Sequence, residues 1–250
     1  MEILTPVLLT AGNPGPMTGA GNNTWFLDGA EPTLIDAGVG AAEHIDAIAR
    51  ALDGRALARV LVTHGHADHA SGAPALKQRW PAVELWKLPP CDGNDWHAFT
   101  ASQMVGAGDR MLQVIYTPGH ALDHVCFWDA ESRELYAGDM LTHGTTVMIP
   151  GGRGGGMRAY MESLEVLASL SPVRVFPGHG PVIDDPLELI AQYLAHRRMR
   201  EAQVRDCLAD GFADGAAIVA RVYPDLPPAL AEAAAATIEA HIEKIRDEGL

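Results

Sequence analysis

Apolar residues along the chain change rhythm near residue 185. Before it, short β-branched or aromatic runs alternate with stretches of helical spacing; beyond it only helical spacing remains. Residues 3–9 predict a strand, and 12–22 a loop rich in Gly, Pro and Asn. TWFLDG and TLIDAG predict a hairpin about the turn GAEP. Residues 41–52 space their apolar positions as a helix. ARVLVT at 58–63 reads as a buried strand that stops abruptly at His64-Gly65-His66-Ala67-Asp68-His69. GAPALKQRW predicts a helix and VELWKL a strand, whereas 91–110 is ambiguous. LQVIYT, DHVCFWD and ELYAGD predict three more strands. A glycine-rich stretch at 150–157 follows, then the helix MRAYMESLEVLASL and the strand and turn VRVFPGHG. From Pro186 the pattern is one long helix closed by Gly211, then helices over 215–223 and 227–247.

That change divides the chain softly near 185–200, with an α/β unit at 1–185 and a helical region at 186–250. At 250 residues and 48% hydrophobic composition there is ample material for a core. A net charge of −14 argues against a broad basic surface for nucleic acid. The three cysteines, Cys91, Cys126 and Cys207, are too few and too scattered for a disulfide framework and read as small buried hydrophobes. The N-terminus shows no signal-peptide pattern and no run of about 18 apolar residues occurs, so the expectation is a cytoplasmic protein.

The eleven histidines alter this picture, because several sit beside Asp or Gly in turns. His64, His66, Asp68 and His69 place four donors within six residues at a strand end, where they converge without the ordering of a long loop. Imidazole and carboxylate suit zinc, and also manganese or iron. On extended backbone His64 and His66 point the same way, toward one ion, while Asp68 and His69 are offset toward a second. Three more residues repeat the setting at a strand end with a glycine turn: His120 in TPGH, Asp139 in AGD and His179 in PGHG. The inventory fits two ions. His64, His66 and His120 would hold one, Asp68, His69 and His179 the other, and Asp139 would bridge them, with a bridging hydroxide as nucleophile. Asp68 can orient that hydroxide and carry its proton, which makes it the candidate catalytic residue.

On these motifs the chain resembles the metallo-β-lactamase superfamily, through LIDAG (34–38), THGHADH (63–69), TPGH (117–120), GD (138–139) and GH (178–179). Within it the chain is similar to the beta-lactamase-like protein 2 group, through NPGPMTGAGNNTW (13–25), GTTV (144–147), PGHGPVI (177–183) and YLAHRRMREAQV (193–204). The resemblance implies an αββα sandwich with metals at one edge and a winged-helix-like element in the helical tail. It matches Asp36 to the superfamily's outer acid; a carboxylate at a strand end can accept the free N–H of a ligating imidazole. Asn23 and Thr24 also match, and equally suit a turn.

The expected activity is therefore hydrolysis of an ester, thioester, lactone or phosphodiester by two metal ions, zinc first. True β-lactamases of the family often carry Cys where Asp139 stands, which lowers the expectation of that activity. Animal members are single-strand endoribonucleases, and Arg197, Arg198, Arg200 and Arg205 are candidate phosphate contacts beside the plainer reading of a solvated helix face. An iron-dependent enzyme like persulfide dioxygenase and a non-enzymatic binding module are the remaining alternatives. His143 and Arg153 are candidate substrate contacts, the latter in a glycine-rich segment with Arg158. His124 is expected near the site without being a ligand; His44, His97, His196 and His241 read as surface residues.

Overall fold

A computed structural model of the chain describes residues 5–16, 18–88, 95–100, 102–144, 146–152, 155–212 and 214–249. Cys91 and Arg153 lie outside the described residues.

Strands β1 (Val7–Thr10), β2 (Asn23–Leu27), β3 (Thr33–Ile35), β4 (Arg59–Leu61), β5 (Glu84–Lys87) and β6 (Trp96–Ala98) form one sheet in sequence order. Strands β7 (Met104–Ala107), β8 (Arg110–Tyr116), β9 (Val125–Asp129), β10 (Glu134–Gly138) and β11 (Arg174–Pro177) form the second, in the order β11-β10-β9-β8-β7. Helices α1 (Ala42–Leu52), α2 (Ala67–Ala70) and α3 (Ala73–Arg79) fall in the first half of the chain. Helices α4 (Met157–Ser169), α5 (Pro186–Ala209), α6 (Gly215–Val222) and α7 (Ala231–Asp247) fall in the second. The hairpin β2–β3 is antiparallel, while β3–β4–β5–β6 run parallel. The ambiguous 91–110 stretch supplies β6 and β7, an edge strand in each sheet.

Side-chain alternation explains the layering. Successive strand residues face opposite sides. Trp25, Leu27, Ile35, Leu61, Val125, Phe127 and Tyr136 share the core between the sheets. Their neighbours Phe26, Leu34 and Val60 pack instead with Ile48 and Leu52 of α1 and Leu76 of α3. Likewise Cys126, Trp128, Leu135 and Ala137 pack with Tyr160 and Leu164 of α4 and Ile190 and Leu194 of α5. The inner strands such as β2 and β9 are thus covered on both faces and read as continuous apolar runs. This is the αββα sandwich the motifs imply. A fourth core, of Val204, Cys207, Ile218, Val222, Ile238, Ile242 and Ile245, belongs to the tail helices.

Helix α5 opens with Pro186 in its first turn, where a missing N–H costs nothing. It closes at Gly211, whose φ of +87° is left-handed. Among the described residues no helix is long and apolar enough to cross a membrane. Cys126 and Cys207 are buried, as expected. Two histidines read as surface residues are not: His44 on α1 is 2% exposed and His241 on α7 is 0% exposed. Each faces a core that the helix-face pattern alone did not reveal. His97 is exposed and stacks on Trp86, and His196 is half-buried.

Candidate metal centre

Every strand end expected to carry a donor comes to one rim of the sandwich. Strand β4 runs out into Thr63 and His64, and His66 follows on extended backbone as the residue preceding α2. Helix α2 then turns Asp68 and His69 to a second position. The donors converge as three overlapping groups: His64 with His66 and His120; His64 with His69 and Asp139; Asp68 with His69 and His179. Within each group the donor atoms lie within 4.8 Å of one another. His66 Nδ1 is 2.9 Å from both His64 Nε2 and His120 Nε2. Asp139 lies between the groups. Its Oδ2 is 3.4 Å from His120 Nε2, while its Oδ1 is 3.3 Å from His69 Nε2 and 3.4 Å from His179 Nε2. Asp68 Oδ2 lies 3.4 Å from His179 Nε2 and 3.6 Å from His69 Nε2.

The outer hydrogen bonds fix which nitrogen faces inward. His120 Nδ1 is 2.8 Å from Met148 O, a carbonyl that can only accept, so Nδ1 carries the proton and Nε2 a lone pair. His69 Nδ1 donates in the same way to Asp36 Oδ2 at 2.7 Å. The Thr63 hydroxyl is spent on the Asp36 carboxylate, at 3.0 and 3.1 Å, so it accepts from His64 Nδ1 at 3.0 Å. Three lone pairs therefore point at one small volume, the arrangement by which outer partners orient metal-binding imidazoles. Asp36 serves two of them. It holds φ +67° at the end of β3 and also accepts the Thr63 amide at 2.8 Å.

Among the described residues, His69 Nε2 and Asp139 Oδ1 are buried with no hydrogen-bond partner, although they face each other. An orphaned pair of this kind is costly unless something satisfies it. A cation would do so, and the donor set of imidazole nitrogens and carboxylate oxygens suits a borderline divalent ion. The electrostatics of the cluster express the same demand. Burial disfavours charge on His69, yet the Asp139 and Asp36 carboxylates outweigh it and hold the imidazole well above its ordinary range. Burial likewise opposes His179, but Asp139 and Asp68 raise it to about 9. Burial, then the neighbouring His69, depresses His64 well below its ordinary value. The carboxylates thus favour positive charge at the centre, and His64 stays neutral within it.

Supporting residues complete the rim. His124 Nε2 accepts the Asp139 amide N–H at 3.1 Å, and its Nδ1 lies 2.9 Å from Thr117 Oγ1. It sits beside the cluster and orients Asp139, consistent with its expected place. Gly138 and Gly178 are there for space. A Cβ on Gly138 would lie 2.7 Å from His124 Nε2, and one on Gly178 would lie 2.6 Å from Asp139 Oδ1 and 2.8 Å from His69 Cε1. Asn23 donates to Pro177 O at 3.0 Å and Gly180 O at 2.8 Å, and Trp25 Nε1 to Pro177 O at 2.9 Å. The NNTW segment therefore clamps the turn that presents His179, and Asn22 bonds the carbonyl of Asp68.

His143 is exposed, next to Thr142, whose hydroxyl donates to His179 O at 3.0 Å. It lines a surface groove with Val182, Ile183, Asp184 and Glu188. Of the tail arginines, all but Arg198 are substantially engaged within the fold. Arg197 is 1% exposed, Arg198 pairs with Glu165, Arg200 packs over Tyr223, and Arg205 pairs with Glu201 and Glu248. Arg158 pairs with Glu248. Lys87, buried against Asp123 at 2.6 Å, is a contributor the motifs did not flag. The pair covers Gly65 between His64 and His66, where a Cβ would lie 2.9 Å from Asp123 Oδ2.

Comparison with known proteins gives a family model described as "Metallo-beta-lactamase superfamily" over residues 17–88 and 102–179. A "Beta-lactamase associated winged helix domain" model matches 216–250. The chain is 31% identical to a Beta-lactamase-like protein 2 homolog of Caenorhabditis elegans, over 95% of this chain and 83% of the relative. It is 32% identical to the Atrochrysone carboxyl ACP thioesterase of Aspergillus fumigatus, over 93% of this chain and 78% of that enzyme. A crystal structure of a Beta-lactamase domain protein from Burkholderia ambifaria superposes with a TM-score of 0.85 at 23% identity, covering 98% of this chain and 86% of that one.

Proposed function

Since the chain belongs to the metallo-beta-lactamase superfamily, we propose that it is a two-metal hydrolase whose substrate is a thioester or a related acyl ester. The observation that carries this reading is the convergence of seven donors on one rim, with Asp139 offering one oxygen to each side. His64, His66 and His120 would hold one ion; Asp68, His69 and His179 the other; Asp139 would span both. Zinc suits this donor set, and manganese or iron would fit the same nitrogens and oxygens. The thioester class is supported by the thioesterase relative, of which this chain matches most of the length.

Bound there, two such ions would supply Lewis acidity toward the oxygen under attack and a water acidic enough to serve as nucleophile near neutral pH. The protein's own groups do the rest. The Asp68 side chain, 26% exposed, is the more open of the two central carboxylates, against 14% for Asp139. It is placed to orient a water at the mouth and to take its proton. Asp139 is kept ionised: burial raises its affinity for a proton, but His69 and His179 overcome this and hold it well below the carboxylate range. Asp36 and the carbonyl of Met148 keep the imidazoles aimed inward. His143, on the groove beside His179, is assigned to the substrate's leaving portion.

The endoribonuclease alternative loses much of its support, because Arg197 is buried and Arg200 and Arg205 are engaged by contacts within the fold, which leaves Arg198 as the one largely exposed member of the four. The test is a panel of acyl thioester, aryl ester, lactone, β-lactam and labelled single-stranded RNA on metal-replete protein, with His66→Ala alongside. Thioester or ester turnover that vanishes in the variant is expected. Turnover of RNA alone, or equal turnover by the variant, overturns the reading. Elemental analysis of the purified protein identifies the metal.

A further inference from the structure

Two of the ligand imidazoles are anchored by a segment that the tail helices grip. Met148 O accepts from His120 Nδ1 at 2.8 Å, and its neighbours on both sides are held from the tail. Just before it, Arg197 of α5 donates to Thr146 Oγ1 at 2.9 Å and to Val147 O. Just after it, the Ile149 amide donates to Thr237 Oγ1 of α7 at 3.3 Å. The Thr237 hydroxyl donates to Ala233 O at 2.9 Å, which leaves its oxygen free to accept. Farther along, the Gly152 amide donates to Glu243 Oε2 of α7 at 2.6 Å. A Cβ on Gly151 would lie 2.9 Å from that oxygen and 3.2 Å from Ala240 N, so the approach is close. The other imidazole is reached through Thr142. Tyr193 of α5 takes the Thr142 amide at 3.3 Å and donates its own hydroxyl to Thr142 O at 2.8 Å. Thr142 Oγ1 then donates to His179 O at 3.0 Å.

Arg197 is the least expected member of this set. It is 1% exposed and lies over the Tyr160 ring at 5.4 Å, and the oxygens it reaches are neutral. A guanidinium buried on neutral acceptors is a poor adhesive, since an apolar side chain of similar volume would bind two helices at lower cost. What it adds is direction: one terminal nitrogen of a planar guanidinium, Nη2, fixes two successive acceptors immediately before Met148.

We propose that the tail helices are part of the metal centre's scaffold: Arg197 is a positioning residue for His120, acting through Met148, and Tyr193 one for His179, acting through Thr142. This rests on reading those two imidazoles as ligands, one on each ion. The two legs are separate, so each should be felt at one ion only.

The experiment is zinc titration of the full-length apoprotein against a chromophoric chelator, which resolves successive binding steps. His120→Ala and His179→Ala identify which step belongs to which leg. Arg197→Met is expected to weaken the His120-dependent step about tenfold or more, the size of effect typical for outer partners of metal ligands, and to leave the other step within about twofold. Tyr193→Phe, which keeps the ring and its volume, is expected to do the reverse. Arg197→Lys keeps the charge and loses the planar, directed donor, and should fall between wild type and Arg197→Met. If Arg197→Met fails to fold, Tyr193→Phe and Arg197→Lys still decide the matter. Unchanged affinities overturn the proposal, as does an equal fall of both steps in proportion to a fall in melting temperature. Failure of the ligand reading has its own signature: the wild-type protein would take up fewer than two ions, or His120→Ala would keep both.

Discussion

The rim of the sandwich and the helical tail both bury histidines, and they treat them in opposite ways. At the rim, His64, His69 and His120 each have an outer nitrogen committed to an acceptor, which turns the other nitrogen toward the shared centre. In the tail, His241 is as deeply buried, yet neither ring nitrogen has a partner among the described residues. Burial therefore does not mark a site. What marks it is convergence: several half-satisfied imidazoles aimed at one volume, with carboxylates Asp139 and Asp68 beside them. An isolated, unpartnered imidazole is a core filler held neutral by desolvation.

The comparison breaks most readily at the rim. His66→Ala or Asp139→Ala should abolish binding of one or both ions and lower hydrolysis by at least ~10³-fold, with folding retained, because the Lewis acid and its acidic water are lost together. Metal content measured by atomic emission is the check; unchanged metal in both variants would falsify the ligand assignment. A subtler blow is Gly178→Ala. Its Cβ would press on Asp139 Oδ1 and His69 Cε1 at 2.6 and 2.8 Å. Displacing the Asp139 carboxylate by under an ångström should lower kcat about 10²-fold, since catalytic geometry tolerates little error. Wild-type kcat in that variant would mean that the rim is looser than its contacts imply.

The same contrast explains what was legible in the sequence. The rim could be read because its chemistry is local: HGHADH packs four donors onto one strand end, and TPGH, AGD and PGHG repeat a strand followed by a glycine turn. The sheets could be read because buried strands are continuous apolar runs. The stretch 91–110 resisted, since β6 and β7 are short edge strands with exposed positions such as His97 and Met104. Lys87 and Asp123 lie 36 residues apart, so no local pattern could foretell that they cover Gly65. In the tail, helical spacing gave the helices but not their faces. Arg197 looked like a solvent-facing polar residue, because the segment that receives it lies near residue 146, far away in sequence. His241 lies beside Arg197, Glu201 and His196 of α5, a pairing of helices that spacing within α7 does not show. Arg153, the other substrate contact expected from the sequence, lies outside the described residues.

The tail's histidine gives a pH test of the contrast. Burial, then the nearby Arg197, lowers His241 to about 4, whereas the unfolded chain titrates it near its ordinary value of 6.5. Between those values the unfolded state binds a proton that the native state refuses, so stability falls as pH falls through that window. His241→Leu removes this term. Urea unfolding at pH 7 and pH 5 should show the wild type losing about 1–2 kcal/mol more than the variant over that interval. The metal-site histidines contribute equally to both curves and cancel in the difference. Parallel curves would mean that His241 reaches water or a partner in solution.

The smallest effect is expected on the outer face of the tail, where Arg205 bridges Glu201 and Glu248. These side chains are 31%, 12% and 29% exposed, so solvent screens much of the attraction. Lys244 also reaches both carboxylates, at 2.7 and 2.8 Å, and stays in place when Arg205 is removed. Arg205→Ala should therefore cost about 0.5 kcal/mol, fade further in high salt, and leave hydrolysis unchanged. The value of the experiment lies in separating stability from activity. A tail that only supports the rim must transmit damage through its packing, and Arg205 makes none of the hydrogen bonds that hold the segment around Met148. A tenfold loss of activity at an unchanged melting temperature would instead mean that the arginine face meets substrate, and would revive the phosphate-binding reading of the tail.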